Sequence, residues 1–136
     1  MAGIRYVGSL GGGEPWQGEF TVANDAVISA GQMLTLASNE ADSGTTNDTA
    51  FIGIALEAVD NSADGLKVRA ICDPNAIYAY RDGTAHAAGA TLDLAAGGMA
   101  LAANANADFT VIMDNAADED TLFIITPGEH YLHGGG

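Results

Sequence analysis

The chain has little positive charge and no long apolar run. Its 136 residues include four Lys and Arg against 18 Asp and Glu, a formal net charge of −14. Nucleic acid and anionic lipid both attract cationic side chains, so this balance argues against both partners. No apolar stretch approaches the ~20 residues of a membrane span, and the glycine-interrupted start lacks a signal-peptide core. We therefore expect a protein made in a cytoplasm that binds neither nucleic acid nor membrane.

Candidates for metal or thiol chemistry are equally sparse. The single cysteine, Cys72, has no disulfide partner and follows the apolar run KVRAI, so a buried, unreactive thiol is expected. His130 and His133 are spaced i, i+3, but a metal-dependent enzyme would need a third ligand there, such as Glu129, on a rigid element. The stretch DNAADED at 114–120 lacks the glycine and the closing glutamate of an EF-hand. We expect no metal site and no cofactor.

Nucleophilic and carrier motifs are also missing. In VGSLG a glycine directly precedes Ser9, which is not the spacing of the G-x-S-x-G elbow. The triplet Gly11–Gly13 is not followed by the Lys-Ser/Thr of a phosphate-binding loop. Lys67 lies inside an apparent strand, whereas biotinyl and lipoyl carrier domains need a lysine at an exposed hairpin tip. The sequence predicts a protein that is not an enzyme.

What the chain does contain is a series of short apolar runs with a period of two. They are rich in β-branched and aromatic residues and are bounded by Gly, Asn or Asp. The runs are GEFTV, FIGIAL, KVRAIC, AIYAY, ATLDL, FTVIM and LFIIT. A hydrophobic content of 48% suffices for one modest core. These features predict one all-β domain over residues 17–126, a small barrel or sandwich of short strands.

One segment of the predicted domain is repeated. ISAGQMLTLA at 28–37 recurs as HAAGATLDLA at 86–95, 58 positions later, and the flanking runs remain in step until the registration slips by about two residues near the end. The repeat predicts an internal duplication into two similar halves, 17–72 and 75–126, that close a single core together. The shared glycine is then a corner of the sheet rather than a ligand-binding loop.

Glycine triplets lie on both sides of the predicted domain. Residues 1–16 are predicted to be an extended N-terminal arm and residues 127–136 a C-terminal tail. The apolar side chains of the arm cannot all be buried by a core whose strands begin near residue 17. The arm therefore either stays disordered or lies on a partner. The predicted contact residues are Ile4, Tyr6, Val7, Leu10 and Trp16 in the arm and Tyr131 and Leu132 in the tail.

Three stretches resemble the small head decoration (capsid cement) proteins of tailed bacteriophages. They are GEFTVANDAVISAGQMLTLA, FIGIALEAVDNSADGLKVRAICDPNAIYAYRDG and AAGATLDL. The pattern they have in common with the family is A-G-x-x-L after a turn, x-G-I-A-L-E a few tens of residues on, and a V-x-x-x-G-x-x strand after it. The resemblance covers most of residues 17–95. It implies a non-enzymatic virion protein that binds the outer surface of an expanded icosahedral capsid and stabilises it. The implied partners are the major capsid protein and neighbouring copies of the chain in a homotrimer.

An alternative function uses the same fold differently. A carbohydrate- or host-surface-binding β module of a virion fibre or spike would need an exposed aromatic platform. Tyr78 and Tyr80 alternate along one run and would share a strand face. Binding to glycans without binding to capsids would favour this alternative.

Overall fold

The structure is a computed structural model that describes residues 4–43, 50–63, 65–81, 83–95, 100–102 and 107–133. Within these ranges the chain forms strands and one 3-10 helix, Tyr131–His133, and no helix there is long and apolar enough to cross a membrane. The strands are β1 Arg5–Ser9, β2 Gln17–Thr21, β3 Val27–Ile28, β4 Met33–Ala37, β5 Glu40–Ser43, β6 Phe51–Ile54, β7 Val59–Asp60, β8 Lys67–Ile71, β9 Ala76–Arg81, β10 Thr91–Leu94, β11 Leu101–Ala102, β12 Phe109–Val111 and β13 Asp120–Ile125. The predicted all-β class is confirmed.

The second half of the chain, together with β1, builds a six-stranded antiparallel sheet in the order β1-β9-β13-β12-β10-β11. Its centre is β13, in which Thr121, Phe123 and Ile125 are buried and the intervening residues are partly exposed. This period-2 pattern faces one side of the strand towards the core.

The first half forms three smaller antiparallel sheets, β5-β4-β6, β2-β8 and β3-β7. Isolated bridges connect them, Val22 with Ala41 and Ala55 with Ala70. Because these links are single bridges rather than full ladders, the described strands do not form a closed barrel. The arrangement is several antiparallel sheets packed together.

Two adjoining hydrophobic clusters fill the interior. One lies within the first half and contains Val22, Leu34, Ile52 and Val68. The other joins both halves and is rich in aromatic rings. In it, Phe51 of the first half lies 5.4 Å from Phe109 of the second, measured between ring centroids, and Phe109 lies 4.9 Å from Phe123. The halves therefore share a core. This is expected, because each half alone has too little apolar surface to be stable.

The repeated glycine forms the same turn in both halves. Gly31 and Gly89 have φ of 84° and 85°, a conformation that favours glycine. The amide of Gly31 donates to the carbonyl of Ala55, and that of Gly89 donates to the carbonyl of Val111, both at 2.8 Å. The glycines are 58 positions apart but their acceptors only 56. The two-residue slip between the repeats therefore lies between each glycine and the residue that accepts its hydrogen bond, earlier in the chain than the sequence repeat indicates.

The N-terminal segment is not an arm outside the domain, and this part of the prediction was wrong. Residues 5–9 are β1, which pairs with β9 through Tyr6 opposite Tyr78 and Ser9 opposite Ala76. Ile4 is only 2% exposed and belongs to the shared cluster. The physical reason is that the i, i+2 spacing of Ile4 and Tyr6 suits a strand with one buried face, and β9 would otherwise be an unpaired edge.

Candidate docking surface

Two loops meet at the end of the molecule where β1 ends and β9 begins. The amide of Leu10 donates to the carbonyl of Asn75 at 2.9 Å, and the amide of Cys72 donates to the carbonyl of Trp16 at 2.9 Å. The loop 10–16, which contains the first glycine triplet, is thus fastened at both ends to the turn 72–75.

The C-terminal segment reaches the same end. The amide of Phe51 donates to the carbonyl of Glu129 at 2.8 Å, and Phe51 forms a parallel bridge with His130. Beyond it, the ring of Tyr131 packs edge-on against Phe20, with 5.8 Å between centroids. The predicted tail is therefore held on the first half. We call the surface made by residues 10–16, 72–75 and 126–132 the apolar end.

The structure divides the seven predicted contact residues into two groups. Leu10, Trp16 and Leu132 are 55%, 60% and 48% exposed, and all three lie on the apolar end. Val7 is also exposed, but at the β-bulge of the edge strand β1. The other three pack against the hydrophobic clusters, one of them buried and the two tyrosines partly buried. They are Ile4, Tyr6 and Tyr131.

A groove of about 160 Å³ opens between the loop and the tail. Its lining is mainly aliphatic and comes from the loop 10–16, the turn 72–75, β13 and the tail. The lining residues are Leu10, Pro74, Asn75, Ile124, Ile125, Pro127 and His130. Among them only Leu10 belonged to the predicted contact set. The signal that could have identified two others is the pair of prolines that follow strand-like runs, DPN at 73–75 and TPG at 126–128, since prolines at such positions mark turns.

The charge near the groove is negative. Asp108 is fully buried, and one of its carboxylate oxygens accepts a hydrogen bond from the amide of Leu94 at 2.9 Å. Its carbonyl accepts from the amide of Thr126 at 3.0 Å, which places it beside the turn that leads to Glu129. Burial, and to a lesser degree the charge of Asp108, raises the pKa of the Glu129 carboxyl. Glu129 thus lies in the chain between the groove-lining residues Pro127 and His130, whereas the carboxylate of Asp108 is buried inside the domain.

The cationic side chains lie away from this end. Arg5 and Arg81 contact the carboxylate of Asp120 at 2.8 and 3.4 Å, at the far end of the six-stranded sheet. Arg69 contacts Glu57 at 3.5 Å. Lys67, the fourth, pairs with Thr21 at one end of the β2-β8 ladder. The pair Gln17 and Ile71 forms the other end, about 13 Å away along the strand. The apolar end therefore has acidic neighbours and no Lys or Arg.

The structure offers little support for metal or thiol chemistry. The buried His130 engages both ring nitrogens, Nε2 with the carbonyl of Ile52 at 3.0 Å and Nδ1 as acceptor for the amide of Leu132 at 3.2 Å. The side chain of His133 lies outside the described residues. Across the part of the chain that is described, no group of three His, Cys, Asp or Glu side chains is placed to hold a metal ion. Burial raises the pKa of the Cys72 thiol, which disfavours the nucleophilic thiolate.

The aromatic platform expected for glycan binding is not formed. Tyr78 is fully buried, and Tyr80 is half-buried against the shared cluster. The reason is that β9 is an interior strand, paired with β1 on one side and β13 on the other, and its aromatic rings contribute to the core.

Comparison with known proteins gives a match in fold but not in sequence. No family model and no curated protein sequence matches the chain. Among solved structures, the head fiber gp8.5 N base in bacteriophage phi29 is similar, with a TM-score of 0.55 and 14% sequence identity. The similarity covers 84% of this chain and 98% of that one. At this identity the likeness establishes a shared fold for nearly the whole of the fiber base.

Proposed function

We propose that this chain is a non-enzymatic structural protein of a phage head that binds the outer surface of the expanded icosahedral capsid and stabilises it. The observation that carries the proposal is the shared fold with the N base of a phage head fiber over 84% of this chain. The proposed partners are the major capsid protein and other copies of the chain in a homotrimer.

The apolar end supports a docking role. Complete burial of one large apolar side chain contributes ~1.5–3 kcal/mol. Leu10, Trp16 and Leu132 are each about half exposed, so each would contribute about 1 kcal/mol on docking. Because the loop 10–16 is already fastened to the turn 72–75, little ordering entropy opposes binding.

Stabilisation of the capsid then follows from linkage. A ligand that binds only the expanded lattice stabilises that state by mass action at every occupied site. The large negative charge would keep decorated particles apart in solution. This function requires surface complementarity and no catalytic group.

The test is co-sedimentation with expanded and unexpanded shells, followed by measurement of the heat resistance of the shells. We expect the wild-type chain to bind expanded shells and to raise their melting temperature. The triple variant Leu10→Ser, Trp16→Ser, Leu132→Ser should bind about 100-fold more weakly, since ~3 kcal/mol is lost. The matched control is Val27→Ser, at a residue 61% exposed but outside the apolar end.

Each outcome bears on a different part of the proposal. If the wild-type chain binds no shell, the proposed function is wrong. If the triple variant binds as tightly as the control, the apolar end is not the docking surface. Deletion of residues 1–16 is a poor substitute for these variants, because it would remove β1 and with it the buried Ile4.

A second candidate function is the base module of a head fibre or spike, which the fold of the phi29 fiber base favours. Such a module would bind the head without changing its heat resistance. Its carbohydrate- or host-surface-binding form loses support, because Tyr78 and Tyr80 do not form an exposed platform. A glycan array and the melting curves of decorated shells distinguish this candidate from the first.

A further inference from the structure

We propose that His130 is a pH-sensitive latch, which holds the C-terminal tail on the domain while its imidazole is neutral and releases the tail when the imidazole takes up a proton. This inference concerns the attachment of the tail within one chain and does not depend on the proposed function.

The hydrogen bonds of His130 define its protonation state. The carbonyl of Ile52 can only accept, so Nε2, which lies 3.0 Å from it, carries the ring proton. The amide of Leu132 can only donate, so Nδ1, at 3.2 Å, carries none. The attached tail therefore requires the neutral imidazole.

A second proton on the ring is incompatible with this arrangement. Protonation places a hydrogen on Nδ1 that points at the N–H of Leu132, so a hydrogen bond becomes a contact between two donors. His130 is 1% exposed, so the cation would also lose its hydration. Both effects favour movement of the ring out of its site, where water can solvate the charge.

Two further attachments of the tail belong to the immediate neighbours of His130. The carbonyl of Glu129 accepts from the amide of Phe51, and the ring of Tyr131 packs against Phe20. Displacement of the ring between them would therefore loosen the whole segment. Because the tail forms part of the apolar end, acidification would also weaken binding to expanded shells under the proposed function.

The other titratable groups on the described segments around the ring do not replace this latch. They are Glu14, Cys72, Asp73, Asp108, Glu129 and Tyr131. Burial raises the pKa of the Cys72 thiol and that of the Tyr131 phenol, the latter to about 12, so both are neutral between pH 5 and 7.5. Burial also raises the pKa of Glu129, and protonation of a carboxyl with a raised pKa stabilises the folded form. Ionised aspartates nearby would ease proton uptake by the ring, but the contact between two donors at Nδ1 remains.

The size of the effect follows from linkage. A histidine in water has a pKa of ~6.5, so the released tail takes up a proton between pH 7.5 and 5 and the attached tail does not. The ratio of released to attached tail should therefore rise about 30-fold over this interval. The stability of the attachment is complete above the pKa of the released histidine and is lost as pH falls below it.

Amide hydrogen exchange of the full chain measures this ratio, once the rates are corrected for the intrinsic pH dependence of exchange. The amides of Leu132 and Phe51 report on the tail, and the amide of Gly89, which donates to Val111, reports on a distant turn. We expect protection at the first two to fall about 30-fold from pH 7.5 to pH 5 and protection at Gly89 to stay unchanged. Unchanged protection in the tail, or an equal loss at Gly89, would overturn the latch.

Two variants identify the titrating group. His130→Asn keeps an oxygen that can accept from the amide of Leu132 but takes up no proton in this range, so its tail protection should not depend on pH. The matched control is Glu129→Gln, which removes the neighbouring carboxyl and should show the full loss. The readout is the change between the two pH values within one variant, so a tail that is looser at both does not affect the comparison. Persistence of the loss in His130→Asn, or its disappearance in Glu129→Gln, would assign the release to another group and refute the inference.

Discussion

The buried hydroxyl group of Tyr78 should destabilise the fold, so that the protein with phenylalanine at this position is the more stable one. Tyr78 is fully buried, its ring lies 5.9 Å from Phe123 between centroids, and its Oη has no hydrogen-bond partner among the described residues. Burial raises the pKa of this phenol far above its ordinary value, so the group is neutral. A buried hydroxyl without a partner costs ~1–3 kcal/mol in desolvation. Tyr78→Phe keeps the ring and removes that cost.

We therefore expect Tyr78→Phe to stabilise the fold by about 1 kcal/mol, equivalent to a rise in Tm of roughly 3–5 °C for a chain of this size. Tyr6→Phe is the matched control, because the Oη of Tyr6 lies 3.0 Å from the Oγ of Ser9 and its loss should cost ~0.5–1.5 kcal/mol. Urea denaturation at constant m-value measures both changes. If the two variants are destabilised alike, Tyr78 has a partner in solution and the reasoning fails.

Three further changes test other parts of the structure. Gly53→Ala should abolish folding, because φ is 144° and the added Cβ would overlap the carbonyl oxygen of Ile71. In the control Gly8→Ala the added Cβ meets nothing within 4 Å, so the circular dichroism spectrum should keep the β signal of the wild-type chain. Asn61→Ala should cost ~2–4 kcal/mol in denaturant titrations, because its buried amide makes three hydrogen bonds to backbone groups. Because the pKa of Glu129 is raised in the folded state, its protonated carboxyl contributes stability that is complete below about pH 4 and is lost as pH rises through that folded-state pKa. Glu129→Gln should therefore raise Tm at neutral pH and leave it unchanged at pH 3. An equal effect on Tm at both pH values would contradict this.

The strands themselves could be predicted from local pattern. FIGIAL contains β6, KVRAIC contains β8, and AIYAY and LFIIT cover most of β9 and β13. In each case β-branched or aromatic residues with a period of two are bounded by turn-forming residues, and both signals are local. The corner at Gly31 and Gly89 was predictable for the same reason, since positive φ favours glycine wherever the chain turns sharply.

The pairing of the strands could not be predicted in this way. Ile4 and Tyr6 were assigned to an arm because glycines follow them, but their spacing equally suits an edge strand. The choice between the two depends on whether β9, some seventy residues later, presents a free edge. Likewise Tyr78 and Tyr80 share a strand face, but only the position of β9 inside the six-stranded sheet determines that this face is covered.

The candidate docking surface also depends on contacts between segments that are far apart in the chain. Loop 10–16, turn 72–75 and tail 126–132 are each more than fifty residues from the next, and each contributes exposed apolar or proline residues that carry no motif. Backbone hydrogen bonds to Asn75 and Trp16 join the loop to the turn, and the bond from Phe51 to Glu129 holds the tail on β6. A surface assembled in this way is rigid before it binds, so the free energy of burying its apolar side chains is not spent on ordering loops. Under the proposed function, weak individual contacts of this kind would add up to useful affinity at each of many equivalent positions on a shell, which is what stabilisation by mass action requires.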